Sequence, residues 1–215
     1  MPDIRDYIRA GRAELKATLI IRGDNLVNVA SDEIYPADIA IYHDRIVAVG
    51  DVKIYEGKET KFIDATGYHL CPGLIDGHLH VECSKMSITS FAKAVVPLGT
   101  TSIVSGLDQI LVSAGVAGAR EFLDEAALSP LKVFWGAPCK TPYTLPVSNV
   151  GHYFGPEDHL ATHEWPECVG IWETVREFIQ EMDDKVLKAL EIAEKSRLPV
   201  LGCAPMARGQ KLNSY

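Results

Sequence analysis

Apolar and polar positions alternate with a short period in the first third of the chain and with a longer one after it. Short apolar runs broken by Gly, Asp, Asn and Ser predict β-strands at residues 18–22, 26–30, 38–42, 45–49 and 61–65. An amphipathic helix is predicted before them, at residues 3–15. His43 falls in a turn between two of these strands, where we expect it to be exposed. The first part of the chain is therefore predicted to be a small β-domain.

Strands and helices alternate along the rest of the chain. The pattern predicts strands at 100–105, 131–137, 167–175 and 199–203, and helices at 89–96, 116–127 and 184–197. Residues 139–165, rich in Pro, Gly and His, are predicted to be irregular. Trp135 and Trp172 lie in predicted strands and are expected in the core. This alternation predicts a parallel sheet with crossover helices, in a barrel or a doubly wound fold.

The candidate chemistry lies at the junction of the two parts. His78 and His80 are spaced i, i+2 at the end of an apolar run, so a β-strand would present both imidazoles on one face. Two neutral imidazoles so placed suit a divalent metal such as Zn, Mn or Fe. Two chance histidines in a strand are the alternative. The pairs Pro72-Gly73 and Asp76-Gly77, which set the strand entry and let the backbone bend, favour the metal site.

The charge and amino-acid composition exclude some classes of binding partner. The 215 residues carry a net charge of −8 and no dense Lys/Arg cluster, which argues against a nucleic-acid or anionic-membrane surface. The N-terminus lacks the apolar core of a signal peptide, and no apolar run is long enough to span a bilayer. Five cysteines, an odd number without regular spacing, indicate a reducing compartment. We therefore expect a cytoplasmic protein.

Several short motifs occur in a characteristic order. They are Ile63-Asp64-Ala65-Thr66-Gly67, Pro72-Gly73-Leu74-Ile75-Asp76-Gly77-His78-Leu79-His80-Val81-Glu82, Gly99-Thr100-Thr101, Gly170-Ile171-Trp172-Glu173 and Gly202-Cys203-Ala204-Pro205. In these motifs the chain resembles the N-terminal half of proteins of the amidohydrolase superfamily, and among them most closely the adenine deaminase family. The resemblance extends from about residue 17 to 215. The resemblance implies a helix and part of a small β-sandwich at 1–68. It implies the first half, about five strands, of a (β/α)₈ barrel at 69–215, with a metal centre at the strands' C-terminal ends.

The resemblance also implies roles for individual residues. His78 and His80 match ligands of one metal, and Glu173 matches the carboxylate that bridges two metals. Glu82 matches a residue that supports the ligands or contacts substrate. Glu173 and Glu82 are thus the catalytic candidates. The expected cofactor is a divalent metal, with Zn ahead of Mn or Fe, and the expected reaction is hydrolysis of a C–N bond in a nitrogen heterocycle.

The chain departs from the family pattern at two motifs. Cys203 stands where the family has a histidine, and it is either a fourth metal ligand, favouring Zn, or an inert buried thiol. Gly106-Leu107-Asp108-Gln109 stands where adenine deaminases have Asp-Pro-His-Glu, which puts adenine itself in doubt. Candidate substrate contacts are Lys85 just after the metal motif, Asp108 after the second barrel strand, Lys140 after the third, and His152 in a loop over the barrel mouth. A surface role for Lys85 is the alternative.

The chain is expected to contain only the first five barrel strands. Two further metal ligands of the family, a histidine on strand 6 and an aspartate on strand 8, are therefore absent from this sequence. Because open strand edges are avoided in soluble proteins, we expect a second polypeptide to supply the rest of the barrel, as a subunit or as the product of a cleaved precursor. Two other functions stay open. One is a degenerate scaffold or regulatory subunit, and the other is a metal-storage module in the segment that holds Cys139, His152, His159, His163 and Cys168.

Overall fold

The structure is a computed structural model that describes residues 2–143 and 151–215. The chain forms two compact units, Met1–Pro72 and Gly73–Tyr215. The predicted domain boundary at residues 68–69 lies close to this division. Within the described ranges, no helix is both long enough and apolar enough to cross a bilayer.

The first unit is a five-stranded mixed sheet preceded by a helix. Its elements are α1 (Ile4–Gly11), β1 (Leu19–Asn28), β2 (Glu33–Tyr35), β3 (Asp38–Tyr42), β4 (Arg45–Gly50) and β5 (Lys61–Leu70). β1 pairs antiparallel with β2 and β3, β3 with β4, and β5 runs parallel to β1. Two strands predicted at 18–22 and 26–30 are a single strand, because a register shift between Gly23 and Asn25 bends β1 without ending it.

The second unit is a parallel sheet whose strands follow one another in chain order. The strands are β6 (Leu74–Leu79), β7 (Thr100–Ser105), β8 (Lys132–Pro138), β9 (Cys168–Val175) and β10 (Val200–Cys203). The helices are α2 (Ile88–Val95), α3 (Asp108–Ala126), α4 (Pro156–Thr162), α5 (Arg176–Gln180), α6 (Asp184–Ser196) and α7 (Gln210–Asn213). Sequential parallel strands joined by helical crossovers are the beginning of a (β/α)₈ barrel, which confirms the predicted fold class.

The core of the second unit is built around two tryptophans. Trp135 in β8 and Trp172 in β9 are fully or almost fully buried, as predicted. The indole N–H of Trp135 donates to the carbonyl of Gly106, 2.8 Å away, so the buried polar atom is satisfied. This bond fixes the loop after β7 to β8, the middle strand of the sheet.

Two helices differ from the sequence-based expectation. α3 contains the predicted helix at 116–127, but it also includes a helical segment at 108–114 that the pattern did not predict. Gly115 (φ 67°, ψ −166°) is not helical and separates the two segments. α4 lies inside the segment predicted to be irregular. Pro156 stands in its first turn, where a proline needs no N–H donor, so a residue that reads as a helix breaker instead begins the helix.

The sheet of the second unit is open at both edges within the described residues. β6 and β10 each pair with one neighbouring strand. Apolar side chains on both strands are exposed: Leu74 at 59%, Ile75 at 68%, Val200 at 47% and Leu201 at 42%. Exposed apolar edge strands of this kind can pair with a further strand.

Candidate metal centre

Three predicted site residues converge at the C-terminal ends of the strands. Oε1 of Glu173 lies 3.2 Å from Nε2 of His78 and 3.0 Å from Nε2 of His80. The two histidines come from the end of β6 and the glutamate from β9, so the fold brings together residues more than 90 positions apart. Catalytic residues of barrel enzymes collect at this end of the sheet.

The local backbone explains how these side chains are presented. His80 immediately follows β6, and the N–H of His78 is held by the carboxylate of Asp76 at 3.1 Å. Glu173 has a positive φ of 47°, which is uncommon for a residue with a side chain. Such conformations persist where the surrounding structure imposes them, and they concentrate at functional sites.

The other nitrogen of His80 faces two further carboxylates. Nδ1 of His80 lies 3.1 Å from Oδ2 of Asp108 and 3.4 Å from Oε1 of Glu82. Both carboxylates are buried, with side-chain exposures of 8% and 7%. Neither oxygen of Glu82 has a hydrogen-bond partner among the described residues. Buried acidic groups without donors demand a cation or a proton nearby.

The pKa values reflect this concentration of negative charge. Asp108, Glu173 and Glu82, in that order of effect, raise the pKa of His80 to about 12. Contact with His80 and then with His78 holds the pKa of Glu173 below its usual range, while burial raises the pKa of Asp108. The clustered carboxylates therefore favour a positive charge at this position, carried by a protonated His80 or by a bound metal ion.

The donor set fits a divalent metal. Ligand atoms about 2.0–2.2 Å from a tetrahedral ion lie about 3.3–3.6 Å apart, slightly more than the 3.2 and 3.0 Å separations from Glu173 to the two imidazoles. One ligand atom from each of His78, His80 and Glu173 lies within 4.8 Å of the others. Glu82 and Asp108 form a second such group with His80. Imidazole with carboxylate suits Zn, Mn or Fe.

A small cavity opens beside the three donors. It has a volume of about 130 Å³ and is lined by Gly77, His78, Trp172, Glu173, Leu201, Gly202 and Cys203. The ring of His78 packs against Trp172, with centroids 4.4 Å apart. Cys203 thus lines the cavity but is not in either group of mutually close donors. Burial and then the charge of Glu173 raise the pKa of its thiol.

The other predicted contacts lie in different surroundings. Asp108 is beside His80, as described above. Lys85 is exposed on the turn after the histidines, in a left-handed conformation. Lys140 is engaged by Asp183 and lies over the ring of Phe178. His152 is exposed, and its ring packs against Gly115 at the interruption of α3.

The histidine- and cysteine-rich segment does not assemble a metal site in the part of the chain that the structure describes. His159 is buried, with Nε2 3.2 Å from the carbonyl of Cys139 and its ring against Phe154. His163 contacts the carbonyls of His159 and Leu160. Neither group of close donors includes a residue from this segment. These histidines satisfy backbone carbonyls instead.

Sequence reasoning missed two residues that shape the site. Tyr143 donates its hydroxyl to Oδ1 of Asp108 at 3.3 Å. At Gly106, a Cβ would meet Cε1 of His80 at 2.8 Å and Oδ2 of Asp108 at 2.9 Å, so only glycine permits this approach. A glycine that ends a buried strand was a usable signal for close packing. Tyr143 lies in a segment without periodicity and offered none.

Comparisons with known proteins agree with this geometry. No family model matches the chain. It is 68% identical to adenine deaminase 4 of Rhizobium meliloti, over 100% of the chain and 36% of that protein. It is 59% identical to adenine deaminase 1 of Desulfotalea psychrophila, over 99% of the chain and 36% of that protein. The chain spans about a third of the length of the curated relatives it matches.

Solved structures share the fold. A crystal structure of an adenine deaminase superposes with a TM-score of 0.57 at 23% identity, covering 88% of this chain and 52% of that one. A mutant atrazine chlorohydrolase from Arthrobacter aurescens, solved with zinc and atraton, superposes with a TM-score of 0.58 at 15% identity, covering 92% of this chain and 55% of that one. The relatives and the shared fold show that the chain belongs to the amidohydrolase superfamily. Within it, the chain corresponds to the N-terminal part of the adenine deaminases.

Proposed function

We propose that the chain provides the first half of the active site of a metal-dependent amidohydrolase that hydrolyses a C–N bond of a nitrogen heterocycle, with adenine as the first substrate to test. The observation that carries the proposal is the convergence of His78, His80 and Glu173 through a single carboxylate oxygen. The names of the relatives, 68% and 59% identical, point to the same reaction.

The residues have distinct roles in this proposal. His78, His80 and Glu173 would hold the ion. A bound divalent ion supplies a water molecule whose pKa is lowered toward neutrality. The exposed imidazole of His78 and the cavity beside it leave room for the planar ring, and Trp172 fixes the orientation of His78. Glu82 is buried next to His80, which suits a group that holds a proton close to the reacting atoms.

The rest of the barrel is needed for activity in this proposal. A (β/α)₈ barrel has about 250 residues, and the second unit contributes five of its eight strands. The exposed apolar residues of β6 and β10 support a covering segment on both edges. That segment would supply the histidine and aspartate that the family has on later strands. The expected compartment is the cytoplasm, consistent with five free cysteines.

Complementation tests the proposal. The full chain is co-expressed with the remaining C-terminal part of the 68% identical adenine deaminase, and ammonia release from adenine is measured. We expect a complex that binds metal and releases ammonia, while the full chain alone binds metal but releases little ammonia. A set of other aminated purines and pyrimidines and of cyclic amides, assayed in parallel, defines the substrate if adenine is inert.

Matched variants separate the two functional classes. His78→Ala or His80→Ala should abolish activity of the complex, whereas His43→Ala, an exposed turn residue of the first unit, should not. A tight complex that binds no metal and acts on none of these compounds would contradict the enzyme proposal. It would favour a scaffold or regulatory role, to which the replacement of the family histidine by Cys203 also points.

A further inference from the structure

The backbone of Glu173 bends near the end of β9. Its φ of 47° lies in the left-handed region, which a residue with a side chain adopts where the surrounding structure imposes it. The carboxylate is separated from the backbone by several rotatable bonds, so its contacts with the two imidazoles transmit little restraint to φ. The restraint must therefore come from contacts made by the backbone itself.

Three consecutive carbonyl groups at this bend each accept a hydrogen bond. The N–H of Cys139 donates to the carbonyl of Trp172 at 2.9 Å. The thiol of Cys139 donates to the carbonyl of Glu173, with Sγ 3.3 Å from the oxygen. The hydroxyl of Tyr215 donates to the carbonyl of Thr174 at 2.8 Å. Two residues outside β9 thus hold the chain on both sides of the Glu173 side chain.

The fold fixes the position of both donors. Cys139 directly follows β8 and is completely buried. Tyr215 reaches Thr174 by crossing Gly202 of β10, where a Cβ would overlap the hydroxyl of Tyr215 and lie 2.6 Å from the carbonyl of Thr174. Only a glycine at position 202 permits this close approach of a side chain to the backbone.

We propose that Cys139 and Tyr215 are positioning residues, which hold the backbone of Glu173 in its left-handed conformation and so aim its carboxylate at His78 and His80. The inference rests on the proposed metal function. It assigns a role to Cys139, which the sequence grouped with the histidine- and cysteine-rich segment. In this role the thiol acts through Glu173 and contacts neither the metal nor the substrate.

Nuclear magnetic resonance of the full chain tests the restraint without metal. The Cα and Cβ chemical shifts of Glu173 depend on its backbone conformation, and in the wild type they should be typical of a left-handed residue. Cys139→Ala removes the thiol donor and should move these shifts toward values typical of an extended strand. Cys168→Ala, which removes a half-buried thiol at the other end of β9, should leave them unchanged.

Zinc affinity, measured by isothermal titration, connects the restraint to the proposed function. Cys139→Ala should weaken zinc binding about 10-fold, as loss of a group that orients a metal ligand does elsewhere. Cys139→Ser keeps a donor and should recover most of the affinity, even if burial of its hydroxyl lowers the stability of the fold. Tyr215→Phe should weaken binding, whereas Tyr55→Phe, which removes a similar bond to a backbone carbonyl in the first unit, should not.

Three results would overturn the inference. One is a set of Glu173 shifts that stays the same in Cys139→Ala and Tyr215→Phe. Another is an equal loss of zinc affinity in Cys139→Ala and Cys139→Ser, and the third is a wild-type affinity in a variant whose Glu173 shifts have changed. Shifts that depend on Cys139 in a chain that binds no zinc would support the restraint and refute the proposed metal function alone.

Discussion

Nε2 of His80 lies 3.0 Å from Oε1 of Glu173, although the residues are 93 positions apart and stand on strands β6 and β9 of the parallel sheet. Two intervening strands separate them in the sheet, so the contact depends on the curvature of a barrel wall. The same glutamate oxygen also reaches His78. A single carboxylate oxygen that contacts two imidazoles is the geometry expected of ligands around one ion.

Replacing Gly106 with alanine should damage the site more than the fold. The added Cβ would meet Cε1 of His80 at 2.8 Å, so the ring must shift away from Glu173. We expect zinc affinity to fall at least 10-fold, and the free energy of unfolding to fall by about 1–3 kcal/mol from overpacking. Isothermal titration and urea unfolding measure the two effects.

Gly11→Ala is the matched control, because a Cβ at Gly11 meets no atom within 4 Å. Its zinc affinity should equal that of the wild type. Equal zinc affinity in Gly106→Ala would show that the position of the His80 ring does not depend on this close packing.

The Arg120–Glu167 ion pair should make stability depend on pH. The guanidinium donates to both oxygens of Glu167, at 2.9 and 3.0 Å, and thereby lowers the pKa of this carboxyl. A carboxyl group whose pKa is lower in the folded state stabilises the folded protein at pH values above its unfolded-state pKa of about 4.3. This stabilisation is lost as the pH falls through the folded-state pKa. Glu167→Gln should lower the free energy of unfolding by about 1 kcal/mol at pH 7.

The loss of unfolding free energy caused by Glu167→Gln should shrink toward zero below about pH 4. Urea unfolding at several pH values measures this loss. Glu164→Gln, an exposed neighbour in no ion pair of the described residues, should show no such dependence. If Glu167→Gln lowers the free energy of unfolding equally at pH 3 and pH 7, the effect comes from side-chain packing rather than from the charge of Glu167.

Cys203 should react slowly with alkylating reagents. Burial and the charge of Glu173 raise the pKa of its thiol, and the thiolate is the reactive form. At neutral pH, iodoacetamide should therefore modify the exposed Cys71 and Cys83 first, as peptide mass spectrometry can show. Glu173→Gln should speed up the modification of Cys203. If Cys203 reacts first in the wild type, a thiolate is already present and a ligand role gains support.

Much of the fold follows from the sequence because local patterns determine it. Alternation of strands and helices predicted a parallel sheet, and the i, i+2 spacing placed both histidines at the end of β6. α4 was missed because Pro156 reads as a breaker unless its position in the first turn is known. The segment of α3 before Gly115 was missed because this non-helical residue interrupts the periodicity.

The site was predicted less completely, since it depends on contacts between distant residues. Glu173 was matched through its motif, but nothing in the spacing showed that Asp108 would lie against His80. Tyr143 and Gly106 matter through the atoms they touch, at 3.3 Å from Asp108 and within 3 Å of His80 respectively. Such contacts are visible only once the strands are assembled.

The most direct test of the central claim is the metal content of the full chain, measured after zinc loading and dialysis in the wild type and in three variants. We predict one tightly bound ion per chain, lost in His80→Ala and Glu173→Gln and retained in His159→Ala, which alters the histidine-rich segment. An ion that persists in His80→Ala and Glu173→Gln but disappears in His159→Ala would contradict the account and move the metal site to that segment.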